Sequence, residues 1–291
     1  MPGPRTSKSD AEPRKAAASS GAGEVSPWVI AILLGFVLRL VIAYVSIGTN
    51  DTRSFLAFAG HIKAAGLMGA YQQNPQFNHP PLSGLGARGL LWVTEQVHGA
   101  MTGSPDQDLT DHVMLFTFLL KLPCIAADAA VCYLLYRIWA ARAGDGPRMA
   151  AAYALALGPI LIGSYHGNTD NVYAAFSLLA VWLLSGTRPR PLLAGLALAA
   201  AANVKLIPLL LAPVLLLSCR RPREMALFVA GLAAGAVPYL PVVWADLFVA
   251  ERSSFFRNVV SYTPEPDAWG LAIPLTVGRP HPPQPGRDDL L

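Results

Sequence analysis

A ladder of apolar runs broken by short polar connections constrains this chain more than any other feature. The runs cover residues 27–48, 113–139, 149–165, 172–184, 192–204, 206–218 and 225–244. The first is long enough to cross a hydrocarbon core of roughly 30 Å at about 1.5 Å per helical residue. The ladder predicts an all-α, polytopic transmembrane bundle of about seven crossings. Composition agrees: only 14% of residues are charged and 53% are hydrophobic, where a soluble domain carries about a quarter charged residues. Much of the surface must therefore face something other than water.

The basic residues fix an orientation. The N-terminal tail (Arg5, Lys8, Arg14, Lys15), then Arg137, Arg142 and Arg148, then Arg188 and Arg190, then Arg220, Arg221 and Arg223 occupy every second connection. Together they hold 12 of the 22 Lys and Arg residues. The positive-inside rule puts these connections and the N-terminus in the cytoplasm. This placement also explains the net charge of +4 without a nucleic-acid partner. Residues 192–218 could form one long helix, but that would put Arg188 and Arg220 on opposite sides. Two short passes meeting at Lys205 keep the alternation. These passes, and 172–184, are too short to span alone, so the outer turns between them are expected to dip inward around a protein-enclosed cavity. Three units follow: a disordered tail over 1–26, a transmembrane domain over 27–277, and a disordered tail over 278–291. The apolar run at 269–277 starts an eighth span that the chain does not complete. Cys124, Cys132 and Cys219 have no metal-site or disulfide spacing.

The first outer connection, 49–111, is long, and segments of that length are usually functional or disordered. Apolar residues recur at helical spacing over 54–67 (Phe55, Phe58, Ile62) and again over 82–97. Both stretches are expected to lie as amphipathic helices at the outer membrane surface. Residues 253–262, with Phe255, Phe256, Arg257 and Tyr262, suit a further interfacial helix.

Charges within or beside a span are costly and point to function. Arg39, Lys121, Asp128 and Lys205 are of this kind. Lys121 and Asp128 share a helix face, and an ion pair between them, or between Asp128 and Arg39, would serve packing alone. Lys205 falls on the outer side, where a cavity would be. Asp51 follows the first span directly; an Asp there can open a helix as an N-cap as readily as it can do chemistry. Asn50-Asp51-Thr52 is also a glycosylation sequon, but one too close to the bilayer for use. In Asn78-His79-Pro80-Pro81-Leu82 the prolines hold an extended backbone and would aim His79 in one direction. The turn from Tyr165 to Asn171 carries His166, Asn168, Thr169, Asp170 and Asn171, far more polar groups than a connection needs.

These elements occur in a telling order: an Asp after the first span, a long outer loop, Tyr71 and then His79-Pro80-Pro81-Leu82, a His-Gly-x-x-Asp turn from His166 to Asp170, and Lys205-Leu206-Ile207-Pro208. The order resembles the GT-C superfamily of membrane glycosyltransferases, within it the polyprenyl-phosphate-mannose-dependent GT87-like or ALG6/ALG8-like groups, over roughly residues 27–273. The resemblance implies transfer of a sugar, mannose first, from a polyprenyl-phosphate carrier to a glycan, lipid or protein acceptor at the extracytoplasmic face. It implies inversion, with Asp51 as the catalytic base. Tyr71, His79, His166 and Asp170 would bind or orient substrate. Lys205, then Arg257, would meet the leaving phosphate. A divalent metal bridging Asp51 and Asp170, as in some relatives, is also compatible with the resemblance, although the sequence specifies no cofactor. The chain departs from the pattern in carrying one acid at Asp51 where relatives often have a second beside it, and in ending earlier than most members. Its Ala, Gly and Pro richness suggests a bacterial plasma membrane.

Two other readings share the hydrophobic pattern. A secondary transporter or lipid flippase would also carry intramembrane charges, but usually shows paired halves, and no internal repeat is visible. An inactive or truncated assembly subunit would fit the abrupt C-terminus. Concentration of polar groups on one side favours the enzyme.

Overall fold

The computed structural model describes residues 26–102, 112–186, 188–249 and 255–260. The expected tails over 1–25 and 278–291, the apolar run at 269–277 and Tyr262 lie outside the described residues. Among those residues the chain forms eleven α-helices with short 3-10 and π turns, and no strand.

Helix α1 (Pro27–Val45) is apolar throughout except for Arg39. It leads into α2 (Asn50–Gln73) and α3 (Pro81–Thr102), which make up most of the long connection over 49–111. Both are longer than their apolar periodicity suggests. Gly66, at φ +72°, kinks α2 just before residue 67. The pair does more than lie on a surface. Phe55, Leu56 and Ala59 of α2 and Ala87 and Leu91 of α3 share a core with Phe116 and Leu120 of α4 (Val113–Ala143).

Among the described residues three helices are long and apolar enough to cross a membrane: Pro27–Val45, Val113–Ala141 and Pro222–Phe248. A fourth span forms if α5 (Gly146–Leu155) is taken with Leu157–His166, the two being bent by 51°. The latter comprises α6 (Leu157–Ile160) and a π turn over Leu161–His166. The other expected crossings are shorter apolar helices: α7 (Asp170–Ser185), α8 (Pro191–Val204) and Ile207–Ser218, whose second half is α9 (Ala212–Ser218). A crossing needs about 20 residues, so these three do not span by length. The third span, Pro222–Phe248, comprises α10 (Pro222–Gly235) and α11 (Leu240–Phe248) with a short 3-10 turn between them.

Two features lock the bundle. Arg39 and Asp128 are fully buried and paired at 2.8 Å. The guanidinium also donates to the carbonyls of Gly35 and Ala154, while the Tyr153 hydroxyl donates to the other Asp128 oxygen at 2.6 Å. Asp128 thus pairs with Arg39 and not with Lys121. Elsewhere, α8 and α10 cross through glycines: a methyl group on Gly195 would collide with the Phe228 carbonyl, and one on Gly231 with that of Leu192. Small residues that let helix backbones touch are a usual device where no hydrophobic effect drives association. Asn203 ties the same pair at its far end, donating to the carbonyl of Gly235 at 2.8 Å.

The end of α1, the start of α2, the end of the π turn, the start of α7 and the end of α8 all meet at one end of the bundle.

Candidate active site

The turn between α1 and α2 leads directly to Asp51. Gly48 has φ +90°, and a methyl group there would lie 2.6 Å from the Tyr165 carbonyl oxygen. Gly167, at φ +74°, lies against Thr52 so closely that a methyl group would collide with its Cγ2. A left-handed backbone and a close approach both require glycine, and here the two turns cross through one glycine each. Fully buried Thr52 closes its own turn by donating to the carbonyls of Ile47 and Thr49, at 2.9 and 2.8 Å.

This crossing sets Asp51 beside His166. His166 Nε2 lies 3.1 Å from Asp51 Oδ2. Nδ1 of the same ring meets the Thr49 hydroxyl. Asp51 and His166 both remain partly exposed, at 45% and 37% of their side-chain surface, leaving the pair open to a ligand. Asp51 lies in the first turn of α2, whose N-cap is Thr49 with no side-chain cap bond. The carboxylate therefore does not act as the N-cap.

Lys205 sits where α8 ends in extended backbone. The Ile207–Ser218 segment begins just beyond it, so 192–218 is broken at Lys205 and not one long helix. Its ammonium donates to Asp170 Oδ1 and, at 2.9 Å, to Asn168 Oδ1. It also lies 5.9 Å above the Tyr173 ring. Asp170 opens α7, where the positive end of the helix favours a carboxylate. A Lys ammonium has three N–H groups, so one remains for a ligand. Beside it an apolar groove of about 550 Å³ runs between α7 and the Ile207–Ser218 segment, lined by Tyr173, Ser177, Val181, Ile207 and Leu211 among others.

His79 packs among Phe55, Phe58 and Phe77, with its ring 4.6 Å from that of Phe55. Burial, assisted by the charge of Lys205, pushes its pKa down to about 4. At neutral pH the ring is uncharged. Tyr71 stands behind it, fully buried, its hydroxyl donating to the His79 carbonyl at 2.6 Å. Burial pushes the Tyr71 pKa well up, which keeps the phenol a neutral donor. The substrate contact expected of Tyr71 is therefore replaced by a positioning one, because the side chain has no exposed surface.

Phe255 is also buried, against Tyr71 and Tyr239, and not on an interfacial helix as its spacing suggests. Asn258 anchors the same segment by donating to the carbonyls of Tyr71 and Asn74. Arg257 is exposed between them, its Nε 3.3 Å from Asn258 Oδ1. Among the described residues no three His, Cys, Asp or Glu side chains converge as a metal site. Asp51 faces His166, and Asp170 faces Lys205. Thr49, Asn168 and Tyr173 join the site without having been singled out for it. Asn168 was visible in the polar turn; Thr49 and Tyr173 carry no sequence signal of their own.

The model of Glycosyltransferase family 87 matches residues 112–276, more than half of the chain. The chain belongs to glycosyltransferase family 87. It is an all-α membrane glycosyltransferase, and its reaction takes a sugar donor and an acceptor. No curated protein and no solved structure matches it. The family match contains His166, Asp170, Lys205 and Arg257, whereas Asp51, Tyr71 and His79 precede it. In this glycosyltransferase the Asp51–His166 contact joins the two regions.

Proposed function

We propose that this glycosyltransferase moves a sugar, mannose first, from a polyprenyl-phosphate carrier to an acceptor hydroxyl at the extracytoplasmic face, with inversion. The observation that carries this reading is the half-exposed Asp51 carboxylate beside His166, on the same turn whose Asn168 and Asp170 hold the Lys205 ammonium. The acceptor oxygen attacks the anomeric carbon and a glycosidic bond forms. The bond from that carbon to the phosphate oxygen breaks, and its electron pair leaves with the phosphate. Asp51 takes the acceptor proton and its charge stabilises the oxocarbenium-like carbon, as carboxylates do in sugar chemistry.

The leaving phosphate gains charge as the bond breaks, and a fixed cation nearby lowers the barrier. Lys205 is the first candidate, with Asp170 and Asn168 holding its ammonium in place; Arg257 is the second. Uncharged His79 offers a neutral ring to the acceptor or phosphate. The apolar groove beside Lys205 supports a donor whose chain stays in the membrane. Alternation of the basic connections supports an extracytoplasmic pocket and a cytoplasmic N-terminus, in a bacterial plasma membrane.

Asp51→Asn keeps the size of the side chain and removes the base. In membranes supplied with labelled polyprenyl-phosphate mannose, this variant should reach the membrane normally and lose transfer by at least about 10²-fold, the lower range for a general base. Wild-type transfer by the variant would remove Asp51 from the mechanism. Solute or lipid movement by the purified protein without a transfer product would favour a transporter.

A further inference from the structure

Lys121 is the one buried charge of the spans that the reaction above does not use and that lacks a carboxylate partner among the described residues. It lies on α4 with no exposed surface. Its ammonium donates to the backbone carbonyl of Ser46 at 2.6 Å and to the Ser46 hydroxyl oxygen at 2.9 Å. Ser46 is the C-cap of α1, and its hydroxyl donates in turn to the Ile42 carbonyl at 2.6 Å. A cation at a helix C-terminus meets the negative end of the helix and its unpaired carbonyls. Lys121 therefore closes α1.

Holding α1 alone would make this a packing device, but the stem of the same side chain reaches the second turn. A methyl group on Gly167 would sit 3.7 Å from Lys121 Cε and 3.8 Å from its Cγ, so the stem passes beneath that glycine. One turn further along α4, Cys124 Sγ lies 3.5 Å from the Asn168 carbonyl. The head of Lys121 thus grips the turn that ends in Asp51, and its stem underlies the turn that carries His166. Four residues separate Ser46 from Asp51, and the Gly48 backbone and the Thr52 hydroxyl bonds leave that link little slack. His166 immediately precedes Gly167.

We infer that Lys121 is a positioning residue of the transferase, setting the distance between the Asp51 carboxylate and the His166 ring. The inference rests on the proposed role of Asp51. Buried inside the bundle, Lys121 acts through the two turns and touches no substrate.

The test compares wild type, Lys121→Met, Lys121→Arg, Ser46→Ala and Asp51→Asn as full-length protein in proteoliposomes, with labelled polyprenyl-phosphate mannose as donor and native membrane extract as acceptor. Methionine keeps the stem and loses the donors. A displacement near 1 Å can cost about 10²-fold, so Lys121→Met should lower kcat by roughly 10- to 100-fold while leaving the donor KM within about threefold. Arginine should restore much of kcat, and Ser46→Ala, a milder change that serves if the methionine variant does not insert, should show the same split on a smaller scale. In a separate pair of cysteines replacing Asp51 and His166, Lys121→Met should slow disulfide formation, a readout that bulk stability does not move. Wild-type kcat in Lys121→Met and Ser46→Ala beside an inactive Asp51→Asn would overturn the inference and leave the functional reading standing. A loss of kcat matched by loss of folded protein, with unchanged cross-linking, would also overturn it. Full activity of Asp51→Asn would instead overturn the functional reading beneath it.

Discussion

His79 offers the cleanest residue-scale test, because its environment changes its protonation. In the unfolded chain an imidazole titrates near 6.5; in the fold, burial and the Lys205 charge hold it near 4. Above pH 6.5 both states are neutral there and the residue adds no pH dependence. As pH falls below 6.5 the unfolded chain binds a proton that the folded one refuses, so stability drops through the window from 6.5 to 4. Thermal unfolding in detergent should show this decline in the wild type and a flatter profile in His79→Gln; equal slopes would place the loss on other groups. Residues of this kind differ in how well the sequence exposes them. Lys205 stood out because charge beside an apolar run is costly, and Asp170 because its turn holds more polar groups than a connection needs. The Lys121 contact was hidden because its partners are a carbonyl and a serine, which leave no pattern. Tyr71 was readable as a marker of the site, but its burial depends on Phe77 and Phe255 arriving from elsewhere in the chain.

Helices and their contacts obey a different economy. Arg39 and Asp128 are 89 positions apart, and their pairing was one of two arrangements that helix-face geometry allowed. Breaking the pair from one side strands a buried charge. Arg39→Leu should destabilise the bundle by about 3–5 kcal/mol, whereas Arg39→Leu with Asp128→Leu should recover most of that loss. Unfolding in mixed micelles checks both; a mild single variant would mean that water or lipid headgroups reach Asp128. The apolar stretches read from 82, 192 and 225 start close to the observed helix starts at Pro81, Pro191 and Pro222, where a proline opens each helix. The break at Lys205 was legible only through the parity of the basic connections. The joining of α2 and α3 to α4 was not, because an amphipathic stripe does not reveal whether lipid or protein covers it.

At the scale of the whole molecule, residues from four separated segments converge on one end of the bundle: Asp51, His79, the 166–170 turn and Lys205. Hydropathy put them on one side of a membrane; it could not bring them within bonding distance, which depends on Gly48 and Gly167 letting two turns cross. The central claim is that Asp51 and His166 form one catalytic unit. A double-mutant cycle in kcat/KM tests it most directly, using Asp51→Asn, His166→Ala and the pair. Residues that act as a unit are far from additive, so the double variant should be scarcely worse than Asp51→Asn alone. If the two losses multiply instead, the residues work independently and the shared site is contradicted.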